Sequence, residues 1–547
     1  MASIILANVG GAAFGPIGSA IGALVGAKID GALQSSLNGR TSSGSRLGNL
    51  SVQSSIDGAF MPKIFGSAKI AGQVIWADNF KETTIKRTVG GKGGQKVKEY
   101  KYTLSFAIGL CQGTISRIGR SWANGKEIDL NQYNYRLHTG NNPNPDPLLE
   151  AILGIDNCPN YNDIAYIVFE DLPLDVFGDR IPQFSFEIFA QENDAKSLEN
   201  LIKGVCLIPA TGEFAYATTP IIEQVSRGNE NYLNSHHDHE KTDFVCAIEN
   251  LENDLPNAKS ISLVNAWFGT SIDAANCQII PKTEINVRNC KPRNWNVAGL
   301  SRNNADRVSQ INGQNAYGGS IDDKSIIESI NHLNSKGFKV TFNPFIMMDC
   351  ANYPWRGRIK IAPNLENNTG ANTAINAFYG NVLASHFAVS GQNISYSGPN
   401  EFSYSRFILN QAALCKAAGG VDSFLIGSEL IGLTRARSAQ NIFPFVDKLI
   451  HLAGQVRAIL GANCKIGYGA DWTEYGAYVA GNDVTFPLDK LWADNNINFI
   501  GIDYYAPISD RANTDAPLSI AQLQSNIEAG IAYDYYYVDE NARNLRQ

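Results

Sequence analysis

Four acidic residues stand where a short apolar run ends: Asp349 after FNPFIMM, Glu429 after SFLIGS, Asp471 after KIGYGA and Asp503 after FIGI. Glu474 follows Asp471 by three residues, and Trp267, Trp472, Tyr504 and Tyr505 occupy neighbouring or equivalent places. Carboxylates mixed with Trp and Tyr suit carbohydrate, because aromatic faces pack on the apolar faces of sugar rings while acids handle hydroxyls and the glycosidic oxygen. Glu429 is the leading candidate for proton donor. A glutamate fixed among aromatic neighbours is partly desolvated, which raises its pKa and keeps a proton available near neutrality. Each residue also has a plainer reading. Glu429 can start the next helix or pair with Arg435 or Arg437, DWTEY can be an ordinary loop, and Asp349, Asp503, Tyr504 and Tyr505 can serve packing.

An alternation of buried strand and helix must position these residues. Apolar, β-branched runs predict strands at 260–268, 296–301, 338–348, 423–430, 464–472 and 497–505. Helical patterns fall at 324–336, 401–418, 441–460, 488–494 and 520–530. Strand and helix in turn imply parallel pairing through right-handed crossovers. A doubly wound sheet would satisfy the alternation too, but no GxGxxG or Walker motif opens any unit. Acidic and aromatic residues at nearly every strand end favour a TIM-type barrel, whose C-terminal strand ends build the site. About six strands are counted, so residues 259–547 read as an incomplete (β/α)8 barrel.

Upstream, residues 50–258 read as an antiparallel β-rich region. β-rich runs at 64–65, 68–76, 99–109, 115–122, 163–171 and 181–189 are accompanied by helical stretches at 147–153, 195–205 and 242–254. The stretch TVGGKGGQKVK at 88–98 reads as a basic hairpin tip, since Gly91-Lys92 is followed by Gly93 and no helix pattern comes next, unlike a phosphate loop. In NENYLNSHHDHE at 229–240, His236, His237 and His239 flank Asp238 and Glu240. Adjacent residues do not converge on one ion from a regular element, so a solvated loop is expected and no metal site. Residues 36–49 are a Ser/Gly/Asn-rich linker, and 1–35 form a Gly/Ala-rich apolar segment with glycines at four-residue spacing. It lacks the flanks of a signal peptide, and residues 3–33 stay open between a packing segment, a membrane contact and a flexible start.

A net charge of −7 over 547 residues carries no basic stripe for a phosphate backbone, which sets nucleic acid aside. The nine cysteines are scattered without a CxxC or zinc spacing, so neither metal nor other cofactor is expected.

Several longer motifs resemble a known family. WFGTSID at 267–273, FNPFIMMD, WRGRI at 355–359, GGVDSFLIGSEL, GADWTEY and FIGIDYY are similar to the glycoside-hydrolase TIM-barrel-like domain of gene transfer agents and related phage tail proteins. AGQVIWADNF at 71–80, YTLSFAIGLCQGTISRIGRSWANG at 102–125 and FEDLPLDVFGDRIPQFSFEI at 169–188 resemble the hub region of the same tail-tip or baseplate protein. The resemblance implies a structural component of a phage-like tail, made in the bacterial cytoplasm, placed at the tip among other tail proteins and facing a cell-surface or cell-wall glycan. In hydrolases of this barrel type the acid ends the fourth strand, matching Glu429, and a glutamate ending the seventh is the nucleophile. With no seventh strand counted, the chain reads as an N-terminal part of a longer tail-tip protein and no turnover is expected from it. A hydrolase completed by a separate C-terminal piece and a membrane-associated protein are the alternatives.

Overall fold

A computed structural model describes residues 42–43, 60–89, 95–190, 196–208, 212–236, 241–505, 516–529 and 541. The chain divides into two compact units, Met1–Asn200 and Leu201–Gln547.

The first unit is antiparallel β, as its alternating sequence implies. A long hairpin joins Gln73–Val89 to Gln95–Gln112, and Ile164–Pro173 pairs with the second arm and with Tyr135–Thr139. A second sheet orders Gly66–Ile70, Phe184–Ala190, Arg117–Ala123 and Lys126–Ile128. In FSFEIF, Phe184, Phe186 and Ile188 turn inward while Ser185 and Glu187 stay at the surface side. Phe184 stacks 4.8 Å from Phe169 of the other sheet, and Phe106 joins them at 5.3 Å from Phe169. Ser42–Ser43, inside the stretch read as a linker, pairs in parallel with Val97 and Lys98. Residues 1–41 and the glycine tip at 90–94 lie outside the described residues, as do His237, Asp238, His239 and Glu240. Among the described residues no helix is long and apolar enough to cross a membrane, and no metal-binding cluster occurs.

The second unit is organised by six parallel strands: β1 (Gly204–Leu207), β2 (Ser260–Gly269), β3 (Lys339–Met348), β4 (Ser423–Ser428), β5 (Lys465–Asp471) and β6 (Phe499–Asp503). Their order in the sheet is their order in the chain. A doubly wound sheet would reverse direction at a switch point, so this monotonic order is that of a barrel wall. The sheet curls, since Cys206 on β1 and Asp503 on β6 line one cavity.

Helices cover the outer face: α1 (Asp243–Asp254), α2 (Asp323–Ser335), α3 (Gly370–Tyr379), α4 (Tyr404–Ala417) and α5 (Pro444–Leu460). α1 starts where Thr242 accepts a hydrogen bond from the Val245 amide, and α2 where Asp322 accepts from Ser325. α4 is buried almost all round, which explains its run of apolar and small residues.

The expected strand count is met with a different member. Residues 296–301 form a small antiparallel hairpin, Asn296–Val297 with Leu300–Ser301, outside the barrel wall. The sixth strand is instead β1, which begins at the end of the stretch 195–205 expected to be helical; within that stretch only Leu198–Leu201 is helix. Phe214, Tyr216, Phe244 and Ile248 pack into the same core as β2 to β5, so the unit begins well before the expected boundary at residue 259.

Candidate functional site

Strand parity decides which side chains face the interior. Val264, Ala266 and Phe268 of β2 stand in register with Asn343, Phe345 and Met347 of β3, and all six line a cavity of about 780 Å³. The alternate residues face the helices. Trp267 is one of these, fully buried 5.1 Å from the Phe407 ring of α4. The expectation that Trp267 meets a ligand is therefore corrected: it is one residue out of phase with the cavity, and its indole is core packing.

At the C-terminal end of the strands, β4 breaks its ladder to present Glu429. Between Leu425 and Ser428 the register to β5 shifts by a residue, and Gly427 takes φ +146. A Cβ on Gly427 would lie 1.9 Å from the Tyr404 hydroxyl, which donates to the Ile426 carbonyl at 2.6 Å. Glu429 then adopts φ +52, unusual for a non-glycine residue, with its amide donating to the Gly469 carbonyl at 2.8 Å. Only 6% of Glu429 is exposed.

The loop after β3 supplies what Glu429 touches. The indole Nε1 of Trp355 donates to Glu429 Oε2, and an Arg356 Nη lies 3.0 Å from the same oxygen. Arg356 is fixed by its Nε donating to the Ser428 carbonyl at 2.8 Å and by the Phe345 ring 3.8 Å beneath it. The loop can lie this close because Gly432 has no side chain; a Cβ there would meet the Ile359 carbonyl oxygen at 2.3 Å.

Asp503 completes the cluster. Its Oδ2 lies 3.6 Å from the same Arg356 nitrogen that Glu429 approaches. Burial pushes the Asp503 pKa up to about 7, the neighbouring Glu429 adds to this by charge and hydrogen bond, and Arg356 opposes it. Burial likewise lowers the Arg356 pKa against the pull of both carboxylates. Asp471 stands opposite Asp503 in the β5–β6 register and also lines the cavity, with Oδ1 accepting from the Thr473 amide at 2.9 Å. Tyr505 lines the cavity from the exposed rim.

Four other candidates lie apart from this cluster. Asp349 is tied to Lys282 at 2.8 Å and to the Ser309 amide at 3.0 Å; burial alone would raise its pKa, but these partners hold it below the usual carboxylate value. Glu474 is 1% exposed and accepts from Thr434 at 2.6 Å and Tyr468 at 3.0 Å, so its role is structural. Tyr468 in turn accepts from the Leu430 amide at 2.8 Å, which braces the turn just after Glu429. Trp472 and Tyr504 are not among the residues that line the cavity. Asp349 and Glu474 are thus held by internal partners, while Trp472 and Tyr504 follow the ends of β5 and β6 outside the cavity lining.

Sequence reading missed Arg356 and Phe345 as site residues. WRGRI was recognisable as a motif, yet nothing in it says that the loop folds back onto β4. Phe345 was legible, since it shares the parity of Asn343 and Met347.

Comparison with known proteins places part of this unit. The family model of the GTA TIM-barrel-like domain matches residues 402–547. No curated protein matches the chain. Among solved structures, the virion of a native gene transfer agent particle is 32% identical over 34% of this chain and 44% of that one, with a TM-score of 0.22. A GH113 β-1,4-mannanase complex is 16% identical over 50% of this chain and 58% of that one, with a TM-score of 0.25. The GH113 β-mannanase of Alicyclobacillus acidocaldarius is 14% identical over 50% of this chain and 57% of that one, with a TM-score of 0.24. The chain spans less than two thirds of each of these.

Proposed function

We propose that this chain is a component of a gene-transfer-agent-like or phage-like tail, carried at the tip, and that its barrel unit presents a cleft to cell-surface or cell-wall glycan without cleaving it. The observation that carries this reading is the family match over 402–547, the segment that holds Glu429, Asp471 and Asp503. The cleft supports the glycan part: carboxylates and an arginine for hydroxyls stand beside Trp355 and Tyr505 for ring faces.

Support for the absence of turnover is that one Arg356 nitrogen reaches both carboxyls, 3.0 Å from Glu429 Oε2 and 3.6 Å from Asp503 Oδ2. Retaining hydrolysis sets its two carboxyl groups about 5–5.5 Å apart and inverting hydrolysis about 6.5–9.5 Å apart, with the scissile bond or a water between them. A guanidinium bridging the two carboxyls stands where that bond or water would go. The competing reading, a glycoside hydrolase, draws on the proton that Asp503 retains near neutral pH. It requires the pair to separate when substrate enters.

Two measurements test the proposal. Purified particles analysed by mass spectrometry are expected to contain the chain, and its absence from them would remove the tail assignment. Purified protein is expected to co-sediment with the glycan of the host surface without releasing reducing ends. Release that disappears in Glu429→Gln would replace binding with hydrolysis.

A further inference from the structure

The cavity has two chemically distinct ends. Its charged lining residues are Glu429, Asp471 and Asp503 at the ends of β4 to β6, with Arg356 of the loop laid over them. None of the lining residues from β1 to β3 is charged. That wall is built by Val264, Ala266, Phe268, Phe345 and Met347, and Ile208 extends it to an exposed position just beyond β1.

The few polar groups on this wall are mostly engaged already. The Tyr317 hydroxyl donates to the Met348 carbonyl at 3.1 Å, and the Gly319 amide donates to Glu284 at 3.3 Å. Besides Cys206, Asn343 is the polar side chain on these strands, and its Oδ1 is buried without a hydrogen-bond partner rather than open to a ligand. A saccharide laid along β1 to β3 would therefore lose water from several hydroxyls and regain few hydrogen bonds. A hydrocarbon chain in the same place gains about fourfold in affinity for each methylene fully buried.

We infer that the cavity takes an amphiphilic saccharide, a sugar headgroup held at the acidic rim of β4 to β6 with its alkyl or acyl chain lying along the inner wall of β1 to β3. The inference rests on the glycan reading above and names the class of glycan: one that carries a tail.

Calorimetric titration of the full chain with methyl, hexyl and octyl glucosides below their micellar concentrations, and with hexanoate as a tail without a sugar, tests it. Affinity is expected to rise at least tenfold from methyl to octyl glucoside, with hexanoate binding far more weakly than hexyl glucoside. Ala266→Trp fills the inner wall and is expected to collapse the octyl-to-methyl ratio. Ile208→Glu, at an exposed position that does not threaten folding, is expected to reduce the same ratio. Equal affinity for methyl and octyl glucosides would overturn the inference while leaving the glycan reading intact. Hexanoate binding as tightly as hexyl glucoside would overturn it too, by removing the headgroup. No binding of any probe would overturn both readings. Phosphatidylcholine vesicles bearing a glycosylated diacylglycerol identify the source: flotation with the vesicles supports a membrane glycolipid, and octyl glucoside binding without flotation supports a soluble acylated sugar.

Discussion

The proton on Asp503 is the most sensitive reporter of the cluster. Its pKa near 7 comes first from burial and second from Glu429, so removing the glutamate charge isolates the second cause. Glu429→Gln is expected to lower the Asp503 pKa by roughly one unit, read by carbon NMR of labelled aspartate carboxyls. An unchanged titration would mean that the two carboxyls do not meet. Glu474 makes a different kind of claim. Burial raises its pKa from 4.5 to about 7, against hydrogen bonds from Thr434, Asp471 and Tyr468. The folded protein therefore binds this proton more tightly than the unfolded chain does. Its contribution to stability is complete below about pH 4.5 and is lost as pH rises through about 7, a loss on the order of 3 kcal/mol. Glu474→Gln is expected to flatten the decline of urea midpoints between pH 5 and 8, with a modest loss at acid pH for the amide hydrogen bond it cannot accept. An equally steep decline in the variant would remove Glu474 as its source.

At the scale of the element, β4 shows how much chemistry depends on one irregularity. A regular strand would carry Glu429 onward in ladder register with β5; the shift at Gly427 and the left-handed turn at Glu429 lift the carboxyl out to meet Trp355 and Arg356. Gly427→Ala forces a Cβ into the Tyr404 hydroxyl and is expected to destabilise the second unit by about 2–4 kcal/mol in denaturant titrations, with loss of the Trp355 contact seen as a fluorescence shift. A variant of native stability with the same Trp355 signal would show that the bulge is not required. The sequence announced this strand and its terminal glutamate, because SFLIGS is apolar and ends abruptly. It could not announce the bulge, since a glycine in an apolar run reads equally well as close packing. β1 went unseen for another reason: GVCL is only four residues long, and its identity as strand comes from pairing with Ser260 to Leu263, a contact that local pattern does not carry. The 296–301 stretch is the converse case, β-prone residues whose partners are each other.

For the whole molecule, the cores set the expected unfolding behaviour. One buried cluster gathers residues from Phe214 to Leu491 and lies wholly in the second unit. Another gathers residues from Val74 to Ile188 and lies wholly in the first. Since cooperativity follows the contiguity of the core, scanning calorimetry of the full chain is expected to resolve two transitions. Truncating a large buried aromatic costs about 3–5 kcal/mol, which moves a transition of this size by roughly 10 °C. Phe106→Ala is expected to lower one transition and Trp267→Ala the other. Trp267 is the sharper probe, because a residue that contacted a glycan would leave stability nearly unchanged when truncated, whereas one packed against Phe407 must lower the second transition. A single transition moved equally by both substitutions would mean that the two units unfold as one cooperative body.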